Sequence, residues 1–233
     1  MSQKAEILLE GTYLYFQGET NYCQEEFKLV QFPDTQALHI YSEILSRLET
    51  GEVLKILVRL EMGQHYNPHF LRIEKSMGKK YVQEIFKVDA QTQELHYSFQ
   101  NTQTNQEFSR PIGPRQHLVS PAFATAGLFT LSKKLDTTNR TPTIFLSSPN
   151  EWDYQGPPSE KIVHVEKSSE LSEFKVGAAQ VTASHFKLYE SDSSHKDTES
   201  PVELFISKHH GIPYQLLHDD QKIVVKTLKK TDR

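Results

Sequence analysis

The sequence predicts a mainly β fold: a single antiparallel curved sheet forming an open (half) or closed barrel, with one helix near 120–135 packed on its concave side. Three observations predict it. Leu54, Ile56, Val58, Leu60 and Met62 share one register, with Lys55, Arg59 and Glu61 on the other, the period-two pattern of a half-buried strand. Such segments recur about every 9–14 residues between turn residues, which is the spacing of an up-and-down meander; a βαβ fold would need a helix between strands. Only Ser120–Leu135 has helical spacing, through Ala124, Leu128, Leu131 and Leu135.

In chain order, Ile7, Leu9, Tyr13 and Tyr15 share a face and end at Gly18, and Glu25–Val30 follows and stops at Pro33-Asp34. Leu38, Ile40, Ile44 and Leu48 form the next stripe, interrupted in register by Ser42 and Ser46. After the alternating segment 54–62, a short strand at 70–75 turns at Met77-Gly78-Lys79. Val82, Phe86 and Val88, then Leu95, Tyr97 and Phe99, pattern the next two strands. Residues 100–110 are polar and read as loop, and Pro111–Pro114 breaks the chain ahead of the helix. In that helix Ser120 suits the N-cap, Pro121 the first turn, and Lys133-Lys134 the last, where the dipole favours cations. Thr143–Leu146 is a short strand, and β segments follow at 161–167, 179–190, 201–207 with 212–217, and 222–228. The polar stretch 191–200 reads as a hairpin tip. About seven strands before the helix and four to six after it make one domain, a β-rich half-barrel over 1–233.

Composition narrows the function classes. The 233 residues are 36% hydrophobic and 24% charged, with a net charge of -4. Short basic pairs at Lys79-Lys80 and Lys229-Lys230 fall far below a nucleic-acid footprint, so no nucleic-acid partner is expected. No run of 18 apolar residues predicts a membrane span, and the first ten residues lack the apolar core of a signal peptide, which points to the cytoplasm. The single Cys23 has no intramolecular disulfide partner. Asn67-Pro68 rules out a helix that would align His65 with His69, and His209-His210 and His218 sit in turn-like sequence. No HExxH, Gly-x-Ser-x-Gly or glycine-rich nucleotide loop occurs, so neither a metal nor a cofactor is expected.

Polar residues in apolar registers carry more information. Glu84 lies between Val82 and Phe86, His185 shares a register with Val181 and Ala183, and Tyr97 lies between Leu95 and Phe99. A carboxylate facing an apolar interior costs several kcal/mol unless it is paired. Small serines on a concave face leave room, so Ser42, Ser46, Glu84, Tyr97 and His185 are candidate ligand-binding residues of a barrel cavity. Glu84 and His185 are also the candidate proton donors or acceptors if the cavity catalyses a reaction.

The strand series, the helix-bearing insertion and the stretches Gln180–Tyr189, Val202–Tyr214 and Ile223–Leu228, with Gly211-Ile212-Pro213 at a closing turn, resemble bacterial half-barrel proteins of the LolA, LolB and VioE type and a DUF3108-like family. The chain departs from them in lacking a lipobox cysteine near its start and any residue matching a catalytic position of VioE. The resemblance implies a hydrophobic concavity for a lipid-like or aromatic small molecule. Three functions follow as expectations: binding of a hydrophobic small molecule, a cofactor-independent cyclase or isomerase using the same cavity, or binding of a protein partner through an open sheet edge.

Overall fold

The computed structural model describes residues 5–63, 66–113, 116–132, 141–147, 158–191 and 200–231. Fifteen strands build one sheet: β1 (Glu6–Gln17), β2 (Thr20–Phe32), β3 (Ala37–Arg47), β4 (Val53–Met62), β5 (Pro68–Met77), β6 (Lys80–Asp89), β7 (Glu94–Asn101), β8 (Asn105–Pro111), β9 (Gln116–Val119), β10 (Thr141–Ser147), β11 (Ser159–Val176), β12 (Ala179–Ser191), β13 (Val202–Ser207), β14 (Pro213–His218) and β15 (Gln221–Lys230). Their order is β8-β7-β6-β5-β4-β3-β2-β1-β15-β14-β13-β12-β11-β10-β9, antiparallel throughout except for the parallel pair β9–β10. The pairing of β1 with β15 joins the two ends of the chain at the middle of the sheet.

The two outermost strands, β8 and β9, are neighbours in sequence. Five Cα steps from Pro111 to Gln116 span at most about 18 Å, so the sheet curls until its edges approach at that corner. The Arg110 guanidinium donates to the Glu160 carboxylate of β11 across this seam. Among the described residues no strand pairing closes it, so the sheet is barrel-like and open.

Alternation drives the burial. On β4, Leu54, Ile56, Val58, Leu60 and Met62 are all buried, and Leu95, Tyr97 and Phe99 do the same on β7. These faces meet Phe186, Leu204 and Ile206 of the later strands and the segment 120–132 in one core. Tyr13 stacks on Phe27 at 5.0 Å and meets the edge of Phe123 at 4.8 Å. A second, smaller cluster of Val176, Ala183 and Tyr214, with Phe174 and Phe205, lies on the opposite face of β11–β14.

Three sequence expectations change. The segment 120–132 is a 3-10 turn, Phe123–Thr125, followed by a single α turn, α1 (Phe129–Ser132), and the rest of the expected helix lies outside the described residues. Its Ser120 hydroxyl accepts from Ala122 N–H at 3.1 Å and lies 2.8 Å from the Thr125 hydroxyl, so it organises the turn without capping a long helix. Close packing explains the irregularity: a Cβ on Gly127 would lie 2.3 Å from the Gly211 carbonyl oxygen. The polar stretch read as loop contains β8, an edge strand whose two faces are both wet and which therefore lacks an apolar register. Residues 168–176 belong to β11, where a bulge between Lys167 and Leu171 absorbs the polar Ser168-Ser169-Glu170. Among the described residues, nine strands therefore precede the short helix and six follow it.

Candidate functional site

The interior polar groups fall in three places. The first is Glu25, which the sequence reading did not single out. It shares the inward register of β2 with Cys23, Phe27 and Leu29 and is fully buried. Its carboxylate accepts from the Tyr15 hydroxyl, the Ser42 hydroxyl at 2.5 Å, Phe123 N–H at 2.8 Å and Ala124 N–H at 3.1 Å. One side chain thus satisfies two orphan donors of the 3-10 turn and latches the segment to the sheet. Burial pushes the Glu25 carboxyl above its usual 4.5, more than the Ser42, Tyr15 and backbone donors pull it down. Burial, then the neighbouring Glu25 charge, holds the Tyr15 phenol well above its ordinary range. The alternation of Cys23, Glu25, Phe27 and Leu29 was the available signal.

The second place is at β5–β7. Glu84 is fully buried, as its register between Val82 and Phe86 predicts, and accepts from the Tyr97 hydroxyl at 2.9 Å. Tyr97 packs against Phe86 at 5.0 Å and Phe108 at 4.9 Å. Lys75 is buried as well. It opposes Val82 while Ile73 opposes Glu84, so a cation and a carboxylate are diagonal neighbours on one face. Lys75 follows Leu71 and Ile73 at period two, a pattern visible in the sequence.

Of the five candidates, then, Glu84 and Tyr97 are brought together and Ser42 joins Glu25. Ser46 is half-buried opposite Cys23 and hydrogen-bonds to its thiol; burial, then the Glu25 charge, pushes that thiol up to about 12. His185 stands apart from the other four. Its ring stacks on Phe205 at 4.5 Å and its Nε2 lies 3.2 Å from Glu203, in the smaller cluster. Adjacent Phe186 points into the main core, so His185 points to the other side of the sheet.

The third place is a cleft of about 380 Å³ beside α1, lined by Thr130, Leu131, Lys167, Ser184, Phe186, Ile206, Ser207 and Lys208. Beneath the latched segment, by contrast, the gap bordered by Leu60, Met62, His117 and Phe129 is only about 20 Å³, room for one water. A wider depression, about 680 Å³, lies on the outer face among Glu10, Glu26, Lys28, Tyr41, Arg59 and Arg72. It is an open, charged surface on which Arg72 pairs with Glu74 at 2.5 Å and Glu43 with Lys55 at 3.0 Å. Among the described residues no three His, Cys, Asp or Glu side chains stand together as a metal site, and no helix is long and apolar enough to cross a membrane.

No family model matches the chain, and no curated protein matches its sequence. Solved structures do. The chain is similar to a beta-barrel-like protein of a domain of unknown function, DUF1849, from Brucella abortus, with a TM-score of 0.59, 8% identity, and 97% of this chain and 98% of that one covered. It is also similar to a DUF1089 family protein from Pseudomonas aeruginosa, with a TM-score of 0.51, 11% identity, and 82% and 87% covered. At these identities the likeness is one of fold, and it supports a barrel-like β architecture for the chain.

Proposed function

We propose that the protein binds a hydrophobic or aromatic small molecule on the concave side of its sheet, in the cleft beside α1. The observation that carries this reading is the cleft itself: about 380 Å³, within the range of ligand pockets, with buried apolar residues on its floor and a few polar groups at its rim. The resemblance of the sequence to LolA-, LolB- and VioE-type half-barrels implies a concavity of this kind. Binding is favoured over catalysis because Glu84 is sealed inside the core and His185 lies across the sheet from it. A partner strand on the β8 edge is the second reading, supported by the unclosed seam.

Native mass spectrometry of the protein from its own host, followed by denaturation and identification of what is released, tests the first reading. Titration with the neutral fluorophore N-phenyl-1-naphthylamine gives an independent measure. A stoichiometric apolar molecule or saturable fluorescence is the expected result. A bare mass together with no saturable fluorescence would sink the reading and leave the sheet edge as the surface to test.

A further inference from the structure

Resting on that reading, we infer that the ligand is a monomeric anionic amphiphile, a medium-chain carboxylate in chemical type, with its head held by Lys167 and Lys208. Phe186, Ile206 and Leu131 supply the apolar part of the cleft, and the first two are at most 3% exposed. Lys167 opposes Phe186 in register and holds its ammonium 5.8 Å from the centre of that ring, so the cation is placed over the apolar floor and not out in solvent. Ser184 shares the face of Phe186 and is buried beside it, a hydroxyl able to donate to an acid oxygen.

Charge gives the cleft a cationic rim. The chain carries a net charge of -4, yet among the described residues two lysines and no acidic residue line this cleft. Some cations elsewhere have acidic partners, Lys55 with Glu43, Arg59 with Glu61, Arg72 with Glu74 and Lys161 with Glu190. Among the described residues, neither Lys167 nor Lys208 has a carboxylate within ion-pair distance. A cleft with an apolar floor and two ammonium groups at its rim complements a chain with one acidic end. A neutral apolar molecule would leave both charges unused.

The test is competition against N-phenyl-1-naphthylamine on the full chain, with decanoate and 1-decanol as probes of equal chain length. Decanoate should displace the fluorophore at least tenfold better, and Lys167→Met with Lys208→Gln should abolish that preference while leaving displacement by 1-decanol intact. Lys167→Arg should retain it, and unchanged far-ultraviolet circular dichroism shows that the variants fold. Equal competition by the two probes overturns the anionic head but leaves apolar binding standing. Saturable fluorescence that neither probe displaces overturns the placement of an alkyl chain in this cleft. A preference that survives in the double variant overturns the assignment to these lysines. Sedimentation with vesicles of phosphatidylglycerol and phosphatidylcholine separates the two sources of anion: lysine-dependent vesicle binding without decanoate binding would mean a membrane surface and would overturn the free ligand.

Discussion

Replacing Glu25 by Ala removes the acceptor of four buried donors. Two of them keep a second acceptor: Phe123 N–H reaches the Tyr15 oxygen at 3.2 Å, and the Ser42 hydroxyl reaches the Glu26 carbonyl at 3.4 Å. Ala124 N–H and the Tyr15 hydroxyl lose theirs. A stranded buried donor costs about 1–3 kcal/mol, so the variant should lose about 2–6 kcal/mol, a large share of a typical domain's 5–15 kcal/mol, roughly. Urea unfolding measures the loss, and hydrogen exchange should accelerate at the amides of Phe123 and Ala124. Glu25→Gln keeps the shape and one acceptor and should lose less. The sign of the pH effect follows from the raised carboxyl. The folded state holds this proton more tightly than the unfolded one, so the contribution is full below the ordinary value of 4.5 and declines as pH rises through the folded value. The stability gap between wild type and Glu25→Gln should therefore narrow with rising pH across that window. A Glu25→Ala loss below about 0.5 kcal/mol, the scatter of surface substitutions, would refute the latch.

Three further outcomes are expected. The Cys23 thiol, buried and pushed up to about 12, should resist a disulfide reagent at pH 8 in the folded protein and react at once in urea; its contribution to stability is complete below 9.0 and fades as pH climbs toward that raised value, seen as a lower urea midpoint. Gly127→Ala should destabilise by about 1–3 kcal/mol, because its new methyl meets the Gly211 carbonyl oxygen at 2.3 Å and Ile206 Cγ2 at 2.9 Å; thermal unfolding checks it. Tyr97→Phe removes one donor from the buried Glu84 carboxylate and should cost about 1–3 kcal/mol in denaturant unfolding without changing the fold.

What the sequence revealed and what it hid have the same cause. Period-two alternation marks a strand only when one of its faces is dry. β4 has a dry face, so its five inward residues could be named in advance. β8 lies at the edge with both faces partly wet, and it looked like loop. β11 crosses a bulge, which shifts its register midway and hides its length. Register also decided the site. Glu84 was found because Val82 and Phe86 bracket it, whereas Glu25 sits beside Glu26 in a pair that reads as surface charge unless the alternation from Cys23 to Leu29 is followed. His185 was in the right register but on the wrong face for the main core: its apolar neighbours Val181 and Ala183 pack in the second cluster, and a strand pattern alone does not say which of two clusters its apolar face meets. The 3-10 turn was hidden because Gly127 and Gly211 approach each other from segments 84 residues apart.

The latch and the cleft are linked, and that link tests where the ligand sits. Thr130 and Leu131, which wall the cleft, follow the latched Phe123–Thr125 turn in the same segment. A ligand held beside the seated segment needs that wall, so loosening the latch lowers the fraction of molecules that can bind and raises the apparent Kd in proportion. A ligand that instead replaced the segment, occupying the space of Phe123 and Leu128, would bind a loosened protein more tightly. Glu25→Gln, chosen because it retains the shape of the side chain, separates the two cases at a urea-free pH of 7. Weaker binding of N-phenyl-1-naphthylamine, matching the increase in hydrogen exchange at Phe123 and Ala124, is the expected result. Tighter binding would place the ligand under the segment and make Glu25 the group that opposes binding.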